Sequence, residues 1–62
     1  MLSKLRILRK EQKISTNKMS EILGFKTASA YSKKESGNVP ITLDEAIKIS
    51  NFFGKSINEI FL

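Results

Sequence analysis

The stretch that decides the fold is STNKMSEILG, residues 15–24, followed directly by FKTASAYSKKESG, residues 25–37. Ser15 is a good N-cap, because a hydroxyl there accepts from a first-turn N–H that has no partner within the helix. Ile14 before it and Met19 after it stand where a hydrophobic staple closes a helix entry. Met19, Ile22 and Leu23 recur at helical spacing and make one apolar stripe. Gly24 ends the segment, since glycine enters the left-handed conformation of a helix C-terminus at little steric cost. A second helix opens near Thr27 and stops at Gly37. Two short helices meeting at a tight glycine turn follow from these residues.

Working outward, the same reading predicts three more helices. One runs from about Leu2 to Gln12, with Leu5, Leu8 and Leu2 on one stripe. After Gly37, Asn38-Val39-Pro40-Ile41 is an extended connection, because a residue before proline is pushed out of the helical region. Thr42 with Glu45, and Ser56 with Glu59, are two capping boxes that open the fourth and fifth helices. Leu43, Ala46, Ile47, Ile49 and Phe53 give the fourth a broad apolar face, and Gly54 ends it. Ile57, Ile60 and Phe61 belong to the short closing helix. No segment alternates with period two for long enough to be a strand. The expectation is an all-α fold of five helices, one domain over residues 1–62.

Composition narrows the function classes. At 62 residues there is room for a single small core. Cysteine and histidine are both missing, which removes disulfides, thiol-ligated metals, the commonest metal ligand and the commonest general base. The serines have no histidine to activate them, and Gly24, Gly37 and Gly54 are too scattered to cradle a phosphate. A binding protein without cofactor is expected rather than an enzyme. No apolar run is long enough to span a bilayer or to serve as a signal-peptide core, so a cytoplasmic protein of bacterial or phage type is the default. The basic first helix lacks the large aromatic anchor of a membrane-surface helix, and its apolar stripe is needed for the core.

Formal charge is +5, and it is unevenly placed. Through Gly37 nine basic residues face three acids, a net +6; from Asn38 onward two face three, a net −1. A basic part on a near-neutral scaffold suits a polyanion-facing surface. Helix ends sharpen the point. A helix N-terminus carries partial positive charge and normally attracts acids, as in Asp44, Glu45 and Glu59. The second helix instead begins Thr16-Asn17-Lys18, and the third Ala28-Ser29-Ala30 with Lys26 just ahead. Placing lysine there forfeits about 0.3–1 kcal/mol per site. Small hydroxyl and amide side chains leave the N–H groups reachable, which is what an anion-binding helix end requires.

These residues have a familiar arrangement. Leu5-Arg6 and Leu8-Arg9, then Ile14-Ser15, Met19-Ser20, Leu23-Gly24, Glu35 with Gly37, Pro40, and Leu43, Ala46 and Ile49 resemble the phage repressor and Cro type of helix-turn-helix protein, the XRE family. The resemblance covers almost the whole chain. It implies the five-helix lambda-repressor-like fold, with the third helix in the major groove of double-stranded DNA. Ser20 falls where the family needs a small residue for close helix crossing. Arg9 and Glu35 match an internal ion pair. Ala28, Ser29 and Lys33 fall at base-reading positions, and Thr16, Asn17 and Asn38 where phosphates are held; Lys18, Lys26, Thr27 and Ser32 beside them complete the expected phosphate-facing set. Tyr31 takes an apolar recognition-helix slot, so it is expected in the core with a partner for its hydroxyl.

Two departures stand out. Gly24 to Gly37 is one residue longer than the commonest pattern, placing the extra residue either in the turn Phe25-Lys26-Thr27 or inside the third helix. In the second case the reading face rotates by about 100°. Lys34 occupies an apolar slot, and its stem is expected to run along the core while the ammonium reaches water or phosphate. The resemblance implies a sequence-specific transcriptional regulator, a repressor binding a palindromic operator as a homodimer. Phe52, Phe61 and Leu62 either complete the core or form a self-association patch. The alternative is a protein-interaction module of the same fold, an antitoxin or anti-regulator, because a reading helix with Ala28 and Ser29 at its start carries few long polar side chains.

Overall fold

Side-chain caps set the starts of four helices. The computed structural model describes residues 2–62. Its helices are α1 Ser3–Glu11, α2 Thr16–Leu23, α3 Ala28–Ser36, α4 Leu43–Phe53 and α5 Ile57–Phe61. Ser15 Oγ accepts from the Lys18 N–H at 3.0 Å, and Thr27 Oγ1 from the Ala30 N–H at 3.2 Å. Both capping boxes are closed in both directions: the N–H of Thr42 donates to Glu45 Oε1 at 2.9 Å and that of Ser56 to Glu59 Oε1 at 3.2 Å, while each hydroxyl takes the return bond. The carboxyl of Glu59 is held below its ordinary value, chiefly by the Ser56 N–H. α1 alone starts without a side-chain cap; its Leu2 N–H instead reaches the Glu35 carbonyl at 2.9 Å.

Glycine closes α2 at Gly24 (φ 77°), where the Phe25 N–H bonds the Ser20 carbonyl at 2.8 Å and the Gly24 N–H bonds that of Glu21 at 3.2 Å. This is a Schellman ending, and it turns Phe25 back onto the core. α1 stops in the same way without a glycine: Lys13 takes φ 57°, its N–H bonds the Lys10 carbonyl, and the Ile14 N–H bonds that of Arg9.

α2 packs on α3 and α4, α1 on α3 and α5, and α4 on α5. Their shared centre is Leu5, Met19, Leu23, Tyr31, Ile49 and Ile60. Leu2, Leu8, Ile14, Ile22, Phe25 and Phe53 close around it. The broad apolar face expected of α4 is narrower in the fold. Ala46 and Ile49 are buried and Phe53 is half-buried, but Leu43 is 69% exposed and Ile47 42%. At 100° per residue these two lie roughly 90° or more from the buried line, beyond the reach of α2 and α5. The C-terminal aromatic and aliphatic residues also divide. Phe61 is half-buried against the core, Phe52 stands edge-on to Phe53 at 5.0 Å with much of its ring exposed, and Leu62 is exposed.

Candidate nucleic-acid interface

The orientation of α3 is set by a buried polar cluster. Arg9 Nε donates to Glu35 Oε1 at 2.9 Å and its Nη2 to Oε2 at 3.2 Å, a two-pronged pair between α1 and α3. The Tyr31 hydroxyl donates to the same Oε1 at 2.9 Å, and Arg9 Nη1 to the Ile14 carbonyl at 2.9 Å. Tyr31 is fully buried, and both charged residues nearly so. A carboxylate out of water is tolerated only when its lone pairs are occupied, and here three donors occupy them. Burial, followed by the bond to Glu35, pushes the Tyr31 hydroxyl well above the ordinary phenol range. The Glu35 bond likewise raises Arg9. Tyr31 and Glu35 lie one turn apart, so anchoring them turns the opposite side of α3 to solvent.

That outward side is Ser29, Ser32, Lys33 and Ser36, all exposed and all at helical spacing. Two of the expected base-reading residues, Ser29 and Lys33, are on it; Ala28 is half-buried at its flank. Of the expected phosphate-facing residues, Ser32 is on the stripe and Asn17, Lys18, Lys26, Thr27 and Asn38 are exposed. Lys26 and Thr27 precede α3 and Asn38 follows it, so the two groups flank a helix about 14 Å long. Thr16 and Ser32 meet across a polar cleft of about 250 Å³ that Arg6 and Ser36 also line. Arg6 and Ser36 were not among the residues expected at this surface. The signal for Arg6 is its position one turn before Arg9, which places both on the side of α1 nearest α3.

The helix ends carry the electrostatics. Neither α2 nor α3 has an acid in its first turn, whereas α4 has Asp44 and Glu45. Ser15 and Thr27 occupy the third N–H of α2 and α3, leaving the two before it (Thr16 and Asn17, then Ala28 and Ser29) with no acceptor inside their helices. The pattern is not confined to this pair, because the first turn of α1 is free of acids as well. What distinguishes α2 is that its first residue, Thr16, lines the same cleft as Ser32 and Ser36 of α3, while Ser20 Oγ donates to the Thr27 carbonyl at 2.8 Å and fixes the turn against α2.

α2 ends at Leu23 and α3 begins at Ala28, so residues 24–27 form the connection between them. Lys34 is half-buried, and its ammonium is also engaged by the protein itself. It pairs with Glu45 Oε1 at 3.0 Å, donates to the Pro40 carbonyl at 2.9 Å and sits 5.8 Å from the centre of the Phe25 ring. Burial by itself pushes the Glu45 carboxyl up. The Thr42 N–H and the Lys34 ammonium outweigh it and bring the group below its ordinary value. Two helices that do not pack directly, α3 and α4, are thereby braced across the proline connection.

Among the described residues no helix is long and apolar enough to cross a membrane. Neither a curated protein nor a solved structure gives a significant match to the chain. A family model does: the model described as Helix-turn-helix matches residues 5–60, covering all five helices apart from the first two residues of α1 and the last of α5. With its braced α2–turn–α3 unit and five-helix architecture, the chain belongs to the XRE family of Cro- and repressor-type helix-turn-helix DNA-binding proteins.

Proposed function

We propose that this DNA-binding transcription regulator is a repressor that reads a palindromic operator as a homodimer, with α3 in the major groove. The observation that carries the reading is a surface on which an exposed polar stripe (Ser29, Ser32, Lys33 and Ser36) adjoins two helix N-termini without carboxylates. In it Lys33 donates to guanine O6 or N7, Ser29 reads a neighbouring base edge, and the methyl of Ala28 meets a thymine methyl. Thr16, Asn17, Lys18, Lys26, Thr27, Ser32 and Asn38 hold phosphates on either side and set the register. Thr27 remains competent for this, since its hydroxyl accepts the Ala30 N–H and keeps its own proton to donate.

A base-preference profile over random duplexes, measured for the unmodified chain and two variants, tests the assignment. Lys33→Ala flattens preference at one base position by about 1–3 kcal/mol. Asn17→Ala weakens every sequence about equally. An unchanged profile for Lys33→Ala refutes the base-reading role.

The second reading, a protein-interaction module, draws on the three serines of the stripe, which are short and carry no charge. A salt titration separates the two. Phosphate contacts make affinity fall steeply between about 50 and 200 mM salt, whereas a protein-only module shows little duplex binding at any salt.

A further inference from the structure

We propose that the outer face of α4, the ridge Leu43–Ile47 with Asp44 and Lys48 beside it, is where two copies of this chain pair, their α4 helices antiparallel. The proposal deepens the homodimer reading above by naming its contact face, and it rests on that reading. Leu43 and Ile47 stand one turn apart and are the two large aliphatic side chains that α4 leaves exposed. Asp44 and Lys48 form the neighbouring row, again one turn apart, both exposed and neither in an ion pair among the described residues.

Such a pattern is complementary to itself. A two-fold axis near Ala46, perpendicular to the helix, brings Leu43 against Ile47 of the second copy and Asp44 against Lys48 of the second copy. Each contact is made twice, as an isologous interface requires. A parallel two-fold pairing on the same ridge leaves the two Asp44–Lys48 rows on opposite sides of the interface, where they do not meet. Net charge points to the same face: each copy carries +5, but the portion from Asn38 onward is −1, so two copies approach there against the least repulsion. Leu43 also forms the edge of an apolar groove of about 360 Å³ between Val39, Ile41, Ile57 and Phe61, which extends the contact beyond the ridge. None of these residues belongs to the outward stripe of α3, so pairing leaves that surface open.

Sedimentation equilibrium on the full chain at low salt tests this without DNA. The unmodified chain is expected to show a concentration-dependent monomer–dimer equilibrium. Asp44→Lys and Lys48→Asp, each alone, bring like charges together and weaken the dimer by about tenfold. An equimolar mixture of the two variants restores it, because lysine then faces aspartate at both ends of the interface. Asp44 also lies in the first turn of α4, so Lys48→Asp and Ile47→Gln provide arms that leave the cap intact, with helicity checked by circular dichroism. A chain that stays monomeric at millimolar concentration, single variants that dimerise normally, or a mixture that fails to recover overturns the proposal, the last two assigning the face to another contact. Binding to a duplex carrying one half-site reports on the DNA reading separately. The charge variants retain it if only the dimer face is wrong, whereas its absence in the unmodified chain removes the regulator reading and leaves the sedimentation result standing.

Discussion

Replacing Glu35 by alanine probes the contact that orients α3. The substitution strands the Arg9 guanidinium, which keeps one bond to the Ile14 carbonyl, and leaves the fully buried Tyr31 hydroxyl without its acceptor. Breaking a buried pair by removing one partner costs about 3–5 kcal/mol, and an unsatisfied buried hydroxyl adds about 1–3 kcal/mol. A domain of this length has a total stability of roughly 3–9 kcal/mol, so Glu35→Ala is expected to be largely unfolded at 37 °C. Tyr31→Phe makes the graded comparison. It removes one donor, leaves the two-pronged pair intact, and should cost only about 0.5–1.5 kcal/mol. Replacing Arg9 and Glu35 by methionine and Tyr31 by phenylalanine together should recover much of the loss, because no charge or hydroxyl is then buried alone. Urea unfolding followed by circular dichroism at 222 nm gives all three values. If Glu35→Ala lowered stability by less than about 1 kcal/mol, or no more than Tyr31→Phe does, the cluster would not be what holds α3 against α1.

Two further outcomes follow from the titrating groups. Tyr31 is the one tyrosine and there is no tryptophan, so tyrosinate absorbance at 295 nm reports it alone. With its folded value raised, the ring should remain un-ionised at pH values where a free phenol, near 10, is half ionised; its stability contribution is complete below pH 10 and declines as pH climbs above it. A midpoint near 10 in the folded protein contradicts the burial argument. Glu45 has the opposite sign. Its folded value is depressed, so its contribution is present above the ordinary carboxylate range and fades as acid protonates it; Lys34→Ala should move the NMR-monitored Glu45 midpoint upward, and an unmoved midpoint refutes the brace.

What the chain declares locally is its helix punctuation. Ser15, Thr42 and Ser56 bond within four residues of themselves, and Gly24, Gly37 and Gly54 adopt positive φ where the next helix has to turn away. Such interactions have short loops to close, so residue type and spacing suffice to locate them. Lys13 shows where that logic stops. It takes the same left-handed place after α1 with no glycine to announce it, held by bonds from its own N–H and that of Ile14 and by the grip of Arg9 on the Ile14 carbonyl.

The functional surface depended on contacts of longer range. Arg9 and Glu35 are 26 residues apart, and the family resemblance, not periodicity, singled them out. Lys34 reads as a cation available to a phosphate until the fold brings Glu45 within 3.0 Å of it. Leu43 and Ile47 read as core by composition, yet the way α4 rests on α2 and α5 turns them outward. Residue type thus determined where α2, α3, α4 and α5 begin and where the glycine-ended helices α2, α3 and α4 stop, because capping is settled within a single turn. Which face of each helix meets water, and which charges remain to meet DNA, was decided by tertiary packing, since burial is a property of the neighbours that the rest of the chain supplies.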